Sequence, residues 1–310
     1  MQVALVGIGK IALDQHVPAI TSSPDWVLAA TVSRHGGVGG VPAYTDFAAL
    51  LAERQDIRVV SLCLPPVPRF AYAAAALKAG RHVMLEKPPG ATLSECHALE
   101  GLARAGRLSL YATWHSREAA QVAAAKAWLA DKALHRLSVT WKEDVRRWHP
   151  GQEWIWQPGG LGVFDPGINA LSIVTAILPD PIHLTGATLS FPENRQTPIA
   201  ADLRFHHPGG AEVTAVFDWR QEGDQTWAIE AVTDAGILTL TDGGAQMVVD
   251  GGRAAAPDDD APLGGEYPRL YSKMARLLQA GGIDMDLSPM RHVADAFTLG
   301  RRVAVAPFHW

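Results

Sequence analysis

The stretch Val3-Ala4-Leu5-Val6-Gly7-Ile8-Gly9-Lys10-Ile11-Ala12 decides the fold. Four consecutive apolar residues suit a strand buried on both faces of a parallel sheet. The strand runs directly into Gly-x-Gly-x-x-Ala. Gly7 permits a tight turn, Gly9 lets the backbone approach a pyrophosphate, and the small Ala12 lets the following helix pack closely on the sheet. The first turn of that helix offers N–H groups and a positive dipole end to phosphate. Strand, glycine turn and helix in this order predict a dinucleotide-binding unit with Gly7, Ile8, Gly9, Lys10 and Ile11 at the cofactor.

The pattern continues downstream. Val27-Leu28-Ala29-Ala30-Thr31-Val32 reads as the second strand and ends in Ser33-Arg34-His35. NAD-binding units commonly place Asp or Glu there, to hold the ribose 2′-hydroxyl. A hydroxyl and a guanidinium suit a 2′-phosphate instead, which Arg can grip with two hydrogen bonds. The expectation is that NADP is preferred and NAD accepted, with Ser33, Arg34 and His35 at the cofactor. The alternative for Arg34 is a solvated loop residue. A buried strand over 59–64 closes at Pro65-Pro66, and a doubly wound order puts Leu64 and Pro65 beside the glycine turn.

Val83-Met84-Leu85 leads into Glu86-Lys87-Pro88-Pro89. Proline cannot continue a sheet ladder, so Glu86 and Lys87 are delivered to a strand end. Ligands of open α/β sheets bind at such ends. A lysine held there can bind a hydroxyl oxygen, a phosphate or a proton; the plain alternative is a solvated Glu–Lys pair before a turn. Asp46 reads as an N-cap, Gly80 as the stop of an Ala-rich helix over 69–80, and Thr92 or Ser94 as the start of a helix ending near Gly106. A last strand over 108–112 delivers Thr113-Trp114-His115-Ser116. Strands alternate with helices throughout, which predicts a parallel, doubly wound sheet.

At 310 residues the chain is longer than one core usually holds, so two domains are expected: a nucleotide-binding domain over 1–118 and an α+β domain over 119–310, whose last helices pack back on the first. The net charge of −5, with no basic run, excludes a nucleic-acid footprint. No apolar run is long enough to span a bilayer, and the N-terminus lacks a basic n-region. Two cysteines, Cys63 and Cys96, stand in no metal spacing, which fits a reducing, cytoplasmic setting; no HExxH pattern appears, and no metal is expected. The patch Ala254 to Asp260 reads as an exposed loop.

Beyond a helix over 119–130 the character changes. Strand-like runs at 137–141, 184–191, 200–206, 212–219, 227–233, 236–241 and 246–249 alternate with turn signals such as Pro208-Gly209-Gly210. They predict a large, open, mostly antiparallel sheet, whose exposed face is a candidate homodimer surface. Helices over 267–279 and 289–304 close the chain. The run Lys142 to His149 reads first as a solvated charged loop, but Trp148, His149, Trp154 and Trp156 add an aromatic wall, and the chain has ten tryptophans. Aromatic faces pack on the C–H surfaces of sugar rings. In the segment Gly159 to Asn169, Asp165 and Asn169 stand four apart, on one face if helical. Asp165 before Pro166 is also a good N-cap pair, with no chemistry required.

Together these residues resemble the Gfo/Idh/MocA oxidoreductases: Gly7 to Ala12, then Glu86-Lys87-Pro88, then the glycine-led segment holding Asp165. The likeness runs from end to end. It is nearest the bacterial L-arabinose and D-galactose 1-dehydrogenase branch, through 84–92, Trp114-His115-Ser116, 141–152 and 162–170. The resemblance implies oxidation of an aldopyranose (L-arabinose, D-galactose or D-fucose) at C1 to the lactone, with hydride passed to NAD(P)⁺. It implies Lys87 and Asp165 as the catalytic pair meeting at one sugar carbon. It further implies Asn169, His115, Glu143, Trp148, His149 and Trp227 around the sugar, and Glu86, Lys87 and Trp114 near the cofactor. Asn169 stands where the wider family often has a proton-carrying histidine; an amide cannot take that part at neutral pH, which leaves Asp165 or Lys87 as the base. Alternatives are inositol or anhydro-sugar oxidation, or a non-catalytic NADP sensor.

Overall fold

In a computed structural model, residues 1–34, 36–254 and 265–310 are described; His35 and most of the 254–260 patch lie outside them. The chain forms two compact units. The first comprises residues 1–115 and 265–287, the second residues 116–264 and 288–310. Among the described residues no helix is long and apolar enough to cross a membrane.

The first unit holds strands β1 (Gln2–Val6), β2 (Val27–Val32), β3 (Ala43–Tyr44), β4 (Val59–Leu62), β5 (His82–Leu85) and β6 (Leu110–Ala112). They lie in the order β6-β5-β4-β1-β2-β3, all parallel, and the short strand Ile283–Asp284 extends the sheet beyond β6. This is the doubly wound order, and the order reverses between β1 and β4. The apolar runs are explained by burial on both faces. Ala4, Val6, Val60, Leu62, Val83 and Leu85 pack into one layer. Val3, Val59, Met84 and Tyr111 face the other, where they meet Tyr267, Leu270, Tyr271 and Met274 of helix Glu266–Ala280. Asp46 caps helix Phe47–Glu53 and Thr92 caps Leu93–Gly106, each accepting a backbone N–H.

The second unit is built on a nine-stranded sheet. Its strands are β7 (Leu134–Lys142), β8 (His183–Pro192), β9 (Ala200–His206), β10 (Glu212–Asp218), β11 (Thr226–Thr233), β12 (Gly236–Thr241), β13 (Gln246–Val249) and β14 (Gly252–Arg253), with Arg301–Val305 at the edge beside β8. Most neighbours are antiparallel, but β7 runs parallel to β10 and the edge strand parallel to β8. Along β7, Leu137, Val139 and Trp141 are buried and alternate with half-buried Ser138, Thr140 and Lys142. Helix Phe164–Ile177 is buried along nearly its whole length. It approaches the sheet closely at Gly167, where a Cβ would lie 2.6 Å from the Phe217 ring.

One expectation fails at the C-terminus. The reading of a helix over 289–304 is replaced by helix Ser288–Leu299 and strand Arg301–Val305. Gly300 ends the helix, and the following residues gain a full ladder with β8. The β-branched Val303 and Val305 favour that strand.

Candidate functional site

In the first unit, β1 and β4 end side by side at the reversal point. Gly7 has φ of +88° and a Cβ there would lie 2.9 Å from the Leu64 amide, so only glycine fits. A cavity of about 190 Å³ opens over this turn. Gly7, Ile8, Gly9, Ser33, Arg34, Leu64 and Pro65 line it. Thr45, Cys63 and Tyr72 line it too and were not foreseen. Thr45 follows the two-residue β3, too short to show a period, and Tyr72 sits within an Ala-rich helix. A Cβ at Gly9 would meet no protein atom within 4 Å. That open backbone, with Arg34 at the end of β2, fits a dinucleotide. Lys10 instead pairs with Asp14, and Ile11 is 36% exposed.

The first unit also holds a buried polar cluster around Glu86. A π-helical turn, Ala12–His16, leads into helix Val17–Thr21 and turns His16 inward. His16 Nε2 lies 3.0 Å from Glu86 Oε1 and Nδ1 lies 2.8 Å from the Tyr271 hydroxyl. Tyr267 donates its hydroxyl to Glu86 Oε1 at 2.8 Å, and the Lys87 backbone N–H donates to Glu86 Oε2 at 2.8 Å. Burial alone would push the His16 imidazole down; Cys63, Tyr271 and the hydrogen bond to Glu86 outweigh it and hold the group well above the usual histidine range. Burial alone would raise the Glu86 carboxyl, but the hydrogen bond and charge of His16, with His115 and Tyr267, bring it down to about 2. The pair is therefore an imidazolium and a carboxylate. The sequence reading puts Glu86 at the cofactor; its carboxylate is turned to this interior cluster, where a buried cation neutralises it.

Lys87 is half-buried and precedes a cis peptide bond to Pro88. Its loop is clamped from behind: the buried Arg69 guanidinium donates to the carbonyls of Glu86 and Pro88 and to that of Leu64. Trp114 is buried, with its indole N–H donating to the Asp286 carbonyl at 2.8 Å. His115 Nδ1 lies 2.6 Å from Glu266 Oε2, and its ring stacks on Tyr267.

In the second unit the remaining expected residues gather around two tryptophans. Trp219 donates its indole N–H to Glu143 Oε1 at 3.1 Å, and Trp227 donates to Glu143 Oε2 at 3.0 Å. The Trp148 ring lies 5.6 Å from that of Trp227. The His149 ring lies 5.3 Å from that of Trp219, and His149 Nε2 stands 3.3 Å from Asp165 Oδ2. Asp165 lies inside the first turn of helix Phe164–Ile177, whose N-cap is Val163, so its side chain does not act as the cap. Asn169 stands one turn further, on the same face. Asp144, by contrast, caps the short helix Val145–Trp148, which explains part of the charged run. Trp219 was missed: it directly follows β10, whose alternation marks it only as core. Among the described residues no group of three or more His, Cys, Asp or Glu is arranged to hold a metal ion.

Residues 1–112 match the family model described as Gfo/Idh/MocA oxidoreductases with an NAD-binding Rossmann fold. The whole chain aligns with 99% of a galactose 1-dehydrogenase from Pseudomonas fluorescens at 40% identity. The crystal structure of a D-galactose-1-dehydrogenase from Rhizobium etli superposes with a TM-score of 0.94 at 54% identity, covering 99% of this chain and 97% of that one. A 3-ketoreductase from Actinomadura kijaniata, crystallised with NADP and TDP-benzene, shares the fold at 20% identity, with a TM-score of 0.83 over 98% of this chain and 99% of its own.

Proposed function

The chain belongs to the Gfo/Idh/MocA family of NAD(P)-dependent oxidoreductases, and from that premise we propose that it oxidises an aldopyranose at C1 to the lactone. The observation that carries the reading is the full-length likeness to galactose 1-dehydrogenases, which takes in the second unit as well as the nucleotide-binding one. D-galactose, L-arabinose and D-fucose are the proposed sugars. They share configuration at the ring carbons and differ only in the C5 substituent.

The chemistry requires a base for the C1 hydroxyl proton, a held C1 oxygen and a fixed approach of C1–H to the nicotinamide. Bound NAD(P)⁺ supplies the hydride acceptor. Gly7 to Gly9 and Leu64-Pro65 hold its pyrophosphate, and Ser33 and Arg34 its 2′-phosphate, so NADP is preferred and NAD accepted. Lys87 holds the C1 oxygen through its ammonium and steadies the charge that develops there. Asp165 takes the hydroxyl proton. Asn169, His115 and Glu143 receive sugar hydroxyls, and Trp148 and Trp227 pack on the ring. The indole hydrogen bonds from Trp219 and Trp227 support Glu143 in this part, since each binds one carboxylate oxygen and together they fix its orientation. The enzyme works in the cytoplasm as a homodimer through the open sheet.

The test is a panel of the three sugars, an inositol and a 1,5-anhydro-sugar with NADP⁺ and purified protein, followed by formation of reduced cofactor. Turnover confined to aldoses, with the lactone as product, is expected. Preference for the inositol or anhydro-sugar would overturn C1 as the reacting carbon.

A further inference from the structure

We propose that His149 carries the proton away from Asp165, a part that rests on the reading of Asp165 as the base. A carboxylate that takes a proton in every turnover must also lose one, and Asp165 is only 4% exposed. Asn169, one helical turn away, has an amide that does not titrate. His149 Nε2 stands 3.3 Å from the Asp165 carboxylate, and its side chain keeps 17% of its surface in contact with solvent.

The hydrogen bonds around His149 set its tautomer. Nδ1 lies 3.3 Å from Gln152 Oε1. The Trp154 indole, which can only donate, lies 3.1 Å from the same oxygen. Gln152 is thereby held with its carbonyl toward the imidazole, and Nδ1 must bear a proton. Nε2 then faces the Asp165 carboxylate at 3.3 Å, so a proton between them is shared by the pair. The surroundings hold it in place. The Trp219 ring packs on the imidazole and donates its indole N–H to Glu143. The His149 backbone N–H is bound by the Val145 carbonyl. Arg146 and Arg147, on the same short helix, direct their guanidinium groups over Phe308 and Trp148.

In the step itself, the O–H bond at C1 breaks and its proton goes to Asp165. Bound NAD(P)⁺ would accept the C1 hydrogen with its electron pair as hydride, which leaves C1–O as the lactone carbonyl. The Asp165–His149 pair then holds one proton in excess. His149 returns that proton to solvent, and the pair goes back to sharing one. His149 acts through Asp165, so it is a positioning and proton-carrying group.

Two measurements test this. First, kcat is followed against pH for wild type and His149→Gln with saturating NADP⁺ and D-galactose, and for His149→Ala with added imidazole. Glutamine keeps an N–H for Asp165 and cannot carry a proton. The expected result is a loss in kcat of about 10²-fold near neutral pH, a smaller change in KM, an altered acid limb, and partial recovery of His149→Ala with imidazole. A kcat for His149→Gln within about twofold of wild type, or a uniform loss with an unchanged pH profile and no imidazole rescue, would overturn the proposal. Second, NMR titration of the His149 imidazole in wild type and Asp165→Asn reads the pair without any substrate. His149 should lose its proton at lower pH once the carboxylate is gone, and an unchanged titration would sink the pairing. Wild-type protein that turns over no sugar refutes the enzymatic reading and the carrier role with it, while the titration still reports on the pair.

Discussion

Replacing Glu86 by glutamine is the sharpest test of how Lys87 is held. The substitution is nearly isosteric but leaves the His16 imidazolium buried without its counter-charge. Removing one member of a buried ion pair costs roughly 3–5 kcal/mol. The first unit has roughly 140 residues, a size at which each kcal/mol moves Tm by about 4 °C. A fall of roughly 10–20 °C is therefore expected at pH 6.5. The pH dependence gives the sign. In wild type the His16 pKa is raised, so its contribution is full below the ordinary histidine value and is lost as pH rises through the folded pKa. The Glu86 pKa is depressed from 4.5 to about 2, so its contribution is full above 4.5 and lost as pH falls through about 2. In Glu86→Gln the part of the upward shift that Glu86 supplies is gone while burial still opposes the charge, so the loss of stability with rising pH should set in at lower pH than in wild type. The assay is thermal and denaturant unfolding across pH for wild type, Glu86→Gln, His16→Gln and the double variant. The double variant should recover most of the loss, with a coupling of at least about 2 kcal/mol. A coupling below about 0.5 kcal/mol, or parallel pH profiles, would refute the buried ion pair.

Three further outcomes are expected. Lys87→Ala and Asp165→Ala should each lower kcat by about 10²-fold or more with the fold intact; near-wild-type turnover in steady-state assays would remove that residue from the chemistry. Arg34→Ala should weaken NADP much more than NAD, read as separate Kd values by fluorescence titration, and equal losses would end the 2′-phosphate assignment. Light scattering after size exclusion should give twice the chain mass at micromolar concentration, and a monomer would contradict the open sheet as a dimer surface.

How much of this the sequence carries depends on the range of the interaction. The first sheet is legible because parallel strands buried on both faces must be apolar throughout, and because Gly7 and Pro88 mark strand ends by rules that act within a few residues. The antiparallel strands are legible by alternation, whereas β3 and the strand Ile283–Asp284 have two residues each, and a period cannot show in two. The same limit explains the sites. Ser33, Arg34, Leu64 and Pro65 sit at strand ends that topology brings together, so local pattern and strand order suffice to gather them. Glu86 is different. Its chain neighbours, a strand and a lysine, point toward a ligand site, yet its carboxylate is governed by His16 and Tyr267, some seventy and one hundred and eighty positions away. His16 in turn is the buried last residue of a π-helical turn that no side-chain spacing announces. Asp165 poses the problem in its simplest form. Before Pro166 it reads equally as a cap or as a functional carboxylate, and what separates the two is a histidine sixteen residues earlier, brought alongside by a different element. A charge whose partner is distant in the chain is thus the kind of feature that pattern cannot assign, and in this protein the groups best suited to handle protons, His16–Glu86 and His149–Asp165, are both of that kind.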